Sequence, residues 1–246
     1  APSGRSGFAI GVLTAGLTLG IVLGSAMSSF VNSFWQHDEV LAWAWRVPFL
    51  IGGAFGLLAV WLRRYLHETP VFEELRKRRE LVQGLPLKVV LQGHRIAVVR
   101  VMLITWTLTA GIVVVILMTP ALVQSQYSIS AAEAANASTL ATLALTLGCV
   151  IYGMAVDRFG TTRVLLVGST GLALAAGGLT WTLLHAVGHF TLAFAISGLL
   201  VGVTGAIPSL MVNLFPAPIR FSGISFSYNV AYAICGGLTP LAVTLW

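Results

Sequence analysis

Seven long apolar runs dominate the chain, at about residues 7–33, 44–64, 96–124, 134–156, 163–184, 189–212 and 222–246. Short polar segments separate them. A bilayer core is crossed by about 20 mostly apolar residues in helical form. Helices are required because hydrocarbon cannot satisfy free backbone N–H and C=O groups. The pattern predicts an all-α membrane protein, a transmembrane helix bundle with about seven spans.

Composition supports this and narrows it. Hydrophobic residues make up 57% of the chain and charged residues 9%, with a mean hydropathy of +0.90. A soluble domain carries about 25% charged residues, so the main solvent here is lipid. The net charge of +6 does not form a basic patch beside aromatics, which speaks against nucleic acid. Cys149 and Cys235 both fall inside apolar runs, so no disulfide framework is expected. The chain starts Ala1-Pro2-Ser3-Gly4-Arg5 without a signal-peptide layout and stops at Trp246 inside an apolar run. It is therefore expected to be a piece of a longer protein.

Charge also sets direction. Arg5, then Arg63, Arg64, Arg76, Lys77, Arg78, Arg79, Lys88 and Arg95, then Arg158 and Arg163, then Arg220 occupy alternate connections. Those connections share one side if every run spans, and an excess of Lys and Arg marks the cytoplasmic side. Arg100 lies near that side and can snorkel to it. The opposite connections hold His37, Asp38, Glu39, Glu133 and His185, with Arg46 the basic exception. Trp43, Trp45 and Pro48 bracket Arg46, which reads as an interfacial anchor. Residues 65–95 form the longest polar stretch, where Glu73/Lys77 and Glu74/Arg78 at i, i+4 suit a juxtamembrane helix.

Small residues recur every four positions: Gly16, Gly20 and Gly24, then Gly52 and Gly56, then Gly198 and Gly202. This spacing lets helix backbones approach closely. A longer-range similarity links Pro2-Ser3-Gly4-Arg5-Ser6-Gly7 to Pro216-Ala217-Pro218-Ile219-Arg220-Phe221-Ser222-Gly223. Each leads into a Gly-rich run, and six runs begin between Gly7 and Gly223. A parallel duplication of a six-helix unit would explain that and implies twelve helices in the whole protein.

Three ordered stretches carry a family resemblance. They are Trp45-Arg46-Val47-Pro48-Phe49 running to Arg63-Arg64-Tyr65, then Gly153-Met154-Ala155-Val156-Asp157-Arg158-Phe159-Gly160-Thr161-Thr162-Arg163, and then Leu214-Phe215-Pro216 to Ser222-Gly223 with Tyr228-Asn229 and Gly236-Gly237. Together they resemble the major facilitator superfamily, and within it the metabolite:proton symporters of proline/betaine, shikimate, α-ketoglutarate and citrate. The resemblance implies the fifth to eleventh of twelve helices. Residues 1–64 would close the N-terminal half, 65–95 would be the central cytoplasmic loop, and 96–246 would open the C-terminal half. The middle stretch is similar to the loop pattern G-x-x-x-D-R-x-G-R-R, with Thr161 and Thr162 departing from it. It implies a gating loop of Gly153, Asp157, Arg158, Gly160 and Arg163.

Polar positions inside the spans are candidates for a substrate cavity: Thr105, Trp106, Thr109, Tyr152, Asn213, Tyr228, Asn229 and Tyr232. Ser209 is a further candidate, and Gln124 lies near the outer end of its run. Each alone is better explained by hydrogen bonding between helices; as a group they are the best candidates for a cavity wall. No Asp, Glu or Lys lies deep in a run, so the chain by itself offers no proton relay. The histidines (37, 67, 94, 185 and 189) sit at run ends, without metal-ligand spacing. No metal, cofactor or enzymatic site is expected. The resemblance implies a multi-pass protein of the bacterial inner membrane, monomeric at full length, that moves a small polar metabolite with protons. An uncoupled facilitator, or a receptor or scaffold of the same fold, remains the alternative.

Overall fold

The computed structural model describes residues 5–65, 85–127 and 129–245. The pairs Glu73/Lys77 and Glu74/Arg78, and Pro2 of the first repeat copy, lie outside the described residues. Besides a single turn at His37–Glu39, the α-helices are α1 (Ser6–Phe34), α2 (Arg46–Arg63), α3 (Pro86–Gly93), α4 (Arg95–Ala110), α5 (Thr119–Gln126), α6 (Ala131–Phe159), α7 (Thr161–His185), α8 (Phe190–Val201), α9 (Ile207–Val212) and α10 (Ala217–Thr244). Contacts divide the chain into two compact units, Ala1–Val22 with Gly84–Trp246, and Leu23–Gln83.

Among the described residues six segments are long and apolar enough to cross a membrane: Ser6–Met27, Val40–Arg63, Arg95–Gln126, Glu133–Phe159, Thr161–His185 and Val187–Val212. They match the first six expected runs. The seventh run lies in α10, which is helical for 28 residues but is not one of the six. At 1.5 Å per residue α10 extends about 42 Å, so length is not what it lacks. Ser222, Ser225, Ser227, Tyr228, Asn229 and Tyr232 lower its apolarity.

Val40–Arg63 opens with a π segment at Val40–Ala44, and two other spans leave α-helical geometry in their interior just before a proline. Arg95–Gln126 changes at Gly111–Met118 into π-helix before Pro120. Proline lacks an N–H and its ring crowds the preceding turn. The wider π turn accommodates this, and the Thr119 hydroxyl donates to the Val114 carbonyl at 3.3 Å. Likewise Gly202–Ala206 tightens into 3₁₀ geometry before Pro208.

In the larger unit α6 is the central helix. Its start is capped by Ser130, whose hydroxyl accepts from the Glu133 N–H at 3.2 Å. Its buried face, Ala134, Ala137, Ala141, Leu145 and Cys149, joins Phe190, Phe194 and Val201 of α8 in one core. The two helices approach at backbone distance: a Cβ on Gly198 would stand 2.1 Å from the Ala141 carbonyl oxygen, and one on Gly202 would stand 2.5 Å from Gly148 Cα. This bears out the close-approach reading for Gly198 and Gly202. Gly16 and Gly20 differ, since a Cβ on either meets nothing within 4 Å. On the other side of the unit α10 packs along α4 and α3.

The smaller unit carries an aromatic cluster. Phe30, Phe34, Trp35 and Trp43 pack in tilted and edge-to-face pairs with ring centroids 4.5–6.3 Å apart. The Arg46 guanidinium lies 4.4 Å from the Trp45 ring centroid and donates to the Ala42 carbonyl. Its charge is held by an aromatic face and its own helix, as an interfacial anchor would be.

Candidate functional site

The expected loop motif folds as the one-residue turn between α6 and α7. Gly160 ends one helix and starts the next, at φ +84° and ψ 149°. A side chain is strained in that region of backbone space, which glycine alone occupies freely. The Gly160 N–H donates to the Val156 carbonyl at 3.0 Å, and its own carbonyl accepts from the Val164 N–H at 3.2 Å.

This tight turn fixes Asp157 at the last turn of α6, pointing at the start of α1. Its Oδ1 accepts the Gly7 N–H at 2.7 Å and its Oδ2 accepts the Phe8 N–H at 2.8 Å. The first N–H groups of any helix have no partner inside it, and the helix dipole makes that end favourable for an anion. One carboxylate therefore supplies two charge-assisted bonds and caps a helix some 150 residues away in sequence. At a partly exposed site the arrangement contributes about 1 kcal/mol.

The two helices can come this close because both are notched. A Cβ on Gly7 would lie 2.6 Å from the Gly153 carbonyl oxygen, and one on Gly153 would lie 2.7 Å from that of Gly7 and 2.9 Å from Gly11 Cα. Further in, the hydroxyls of Thr18 and Thr146 share a hydrogen bond of 2.9 Å. Gly153 and Asp157 of the expected motif thus face α1 together. Arg158 and Arg163 do not: both are exposed, and Arg158 lies over the Phe159 ring at 5.3 Å.

The cavity candidates fall into two groups. Thr105 and Thr109 are fully buried in α4, beside α10. Tyr228 and Tyr232 stack on each other at 5.6 Å, and a Cβ on Gly236 would stand 3.6 Å from both the Thr109 methyl and the Tyr232 ring. Thr109, Tyr232 and Tyr228 therefore form one wall. Its threonine hydroxyls are already engaged, donating to the Val101 and Thr105 carbonyls at 2.8 Å. Asn229 donates to Ser225 at 2.7 Å, and Asn213 to Ser209 at 3.0 Å. The second group faces α7. Tyr152 lies against Gly168, and Trp106 borders an apolar groove of about 520 Å³ with Gly111, Ser169, Leu172 and Ala176.

The sequence reading missed Gly7, Gly11 and the amides of α1 as partners of the motif. Gly7 and Gly11 carry the same spacing of four as the glycines that were singled out, and that signal was available. Ser209 was among the polar candidates, whereas Thr204 was not singled out. Both hydroxyls are buried, and neither has a partner among the described residues.

The profile of the Major Facilitator Superfamily matches residues 1–245. The inner membrane metabolite transport protein YhjE of Escherichia coli (strain K12) is 31% identical over 212 residues, covering 82% of this chain and 48% of that protein. The citrate-proton symporter of Klebsiella pneumoniae is 26% identical over 213 residues, 85% of this chain and 47% of that protein. The ectoine/proline transporter ProP of Corynebacterium glutamicum is 29% identical over 210 residues, 80% of this chain and 41% of that protein. The chain spans about half the length of these relatives. No solved structure matches it. A bundle of membrane-length helices, the α6–α7 turn with its Gly-x-x-x-Asp-Arg-x-Gly motif and the profile match over nearly every residue agree: the chain belongs to the Major Facilitator Superfamily.

Proposed function

We propose that this chain is part of a secondary active transporter that moves a small polar metabolite, an organic acid or a zwitterion, across the bacterial inner membrane by alternating access with proton symport. In this reading residues 1–64 end the first half, 65–95 link the halves, and 96–246 build most of the second. The observation that carries it is the Asp157 carboxylate closing on the Gly7 and Phe8 amides. A contact made in one arrangement of α1 and α6 and lost in another biases the equilibrium between them by its own free energy, which is the property a gating loop needs. Thr109, Tyr228 and Tyr232 are proposed to face the substrate. The partner is the metabolite together with protons, and the working unit is one copy.

One observation favours a second reading, an uncoupled facilitator. Among the described residues Asp38, Glu39, Glu133 and Asp157 all sit at helix ends, whereas proton relays use acids inside the span. Uptake of labelled citrate, proline and ectoine into proteoliposomes, with and without an imposed pH gradient, separates the two. Symport predicts uptake that collapses without the gradient. Asp157→Asn is expected to lower the maximal rate several-fold while leaving substrate affinity within twofold; equal loss of both would remove the gating role.

A further inference from the structure

Away from the α1 contact and the α4–α10 wall, one surface feature combines an apolar shape with arginines that have no ion-pair partner among the described residues. Between the basic ends of α6 and α7 lies a groove of about 400 Å³ lined by Tyr152, Ala155, Phe159, Val164 and Val167, with Arg163 at its edge. Val164 forms a buried floor, while Phe159 and Val167 stand out as rims, 54% and 75% exposed. From Phe159 back to Tyr152 is seven residues, so the groove runs about 10 Å from the helix ends into the span. Arg158 does not line the groove, but its guanidinium lies over the ring of Phe159, one of the rim residues, at 5.3 Å. Neither arginine has a hydrogen bond or ion pair among the described residues. The acid beside them, Asp157, has both oxygens engaged by the amides of α1 and forms no direct ion pair with either arginine among the described residues.

We infer that this groove is a binding site for an anionic phospholipid, with the phosphate at Arg163 and Arg158 and the upper part of one acyl chain between α6 and α7. The chemistry selects that occupant. The feature sits at the depth where a span meets headgroups. Its body takes hydrocarbon, and its rim offers planar donors suited to phosphate oxygens. A zwitterionic headgroup carries its own cation and gains less from two arginines, and free phosphate has no chain to seat. The site requires membrane residence only and does not depend on transport.

Native mass spectrometry of the protein released from phosphatidylcholine nanodiscs containing a minor share of phosphatidylglycerol tests this. The protein is expected to retain phosphatidylglycerol above its share in the disc. Arg163→Gln should cut that enrichment about fivefold, as the loss of one basic residue at an anionic surface implies, while Arg163→Lys keeps most of it. Ala155→Phe, which fills the groove and leaves both charges, should also reduce it. Arg46→Gln, at the other end of the spans, should not. Circular dichroism confirms that each variant keeps its helicity, and Arg163→Lys serves as the folded reference. Equal enrichment in Arg163→Gln and the parent would overturn the site. So would equal loss in Arg46→Gln, or displacement of the lipid by millimolar inorganic phosphate.

Discussion

Asp157 shows how much one side chain does in a protein with few charges. Its two oxygens take the two N–H groups that begin α1, so its substitutions are graded. Asparagine keeps one acceptor, loses the charge and turns an NH₂ group toward the second amide. Alanine removes both bonds. Hydrogen exchange of the peptide containing Gly7 and Phe8 is expected to speed up about fivefold in Asp157→Asn and more in Asp157→Ala, matching about 1 kcal/mol for the first step. Unchanged exchange in both variants would mean that the cap does not form in the membrane. The acid itself was legible, because an Asp-Arg followed by Gly160 between two apolar runs reads as a helix end and turn. Its partner was not. A backbone amide has no signature in sequence, and which helix start reaches the carboxylate depends on tertiary packing. Gly160 was the easier residue, since its positive φ is a local demand that glycine announces.

At the scale of elements, spacing predicted where backbones could meet but not which of them do. The glycines at 16, 20, 198 and 202 share the same four-residue interval, yet only the second pair is used within its unit. The interval specifies a small-residue face and leaves open what the face looks at. The helix breaks behaved similarly: Pro120 and Pro208 were visible, but whether each span would kink, widen or tighten depended on neighbours. The outcome was a π segment in one and a 3₁₀ segment in the other. In Gly153→Ala the new methyl group meets the Gly7 carbonyl oxygen and Gly11 Cα, which are backbone atoms that cannot rotate away, so α1 and α6 must separate. Overpacking of this kind costs about 1–3 kcal/mol, and the unfolding temperature in detergent should fall by several degrees. Gly16→Ala adds the same methyl where nothing lies within 4 Å and should leave it unchanged. Equal effects at both positions would show that the crossing is looser than its geometry.

For the molecule as a whole, the proposed alternating access turns on whether α1 and α6 stay together or part. The amide cap at Asp157, the glycine notch at 7, 11 and 153, and the hydroxyl pair Thr18–Thr146 form one continuous seam about 17 Å long at 1.5 Å per residue. A seam held by backbone contact and a few polar bonds has two distinct arrangements, engaged and parted, because notched surfaces do not deform gradually. If transport uses both, locking the seam must stop it. With Cys149 and Cys235 replaced by alanine, Thr18→Cys and Thr146→Cys put two thiols where hydroxyls now stand 2.9 Å apart, within reach of an oxidant-driven disulfide. Oxidised proteoliposomes are expected to lose most of their uptake and to recover it on reduction, while substrate binding persists in the locked form. Undiminished uptake with the disulfide verified by mass spectrometry would make the seam a fixed hinge. The moving contact would then have to lie elsewhere, and Asp157 would be a structural cap on a rigid pair of helices.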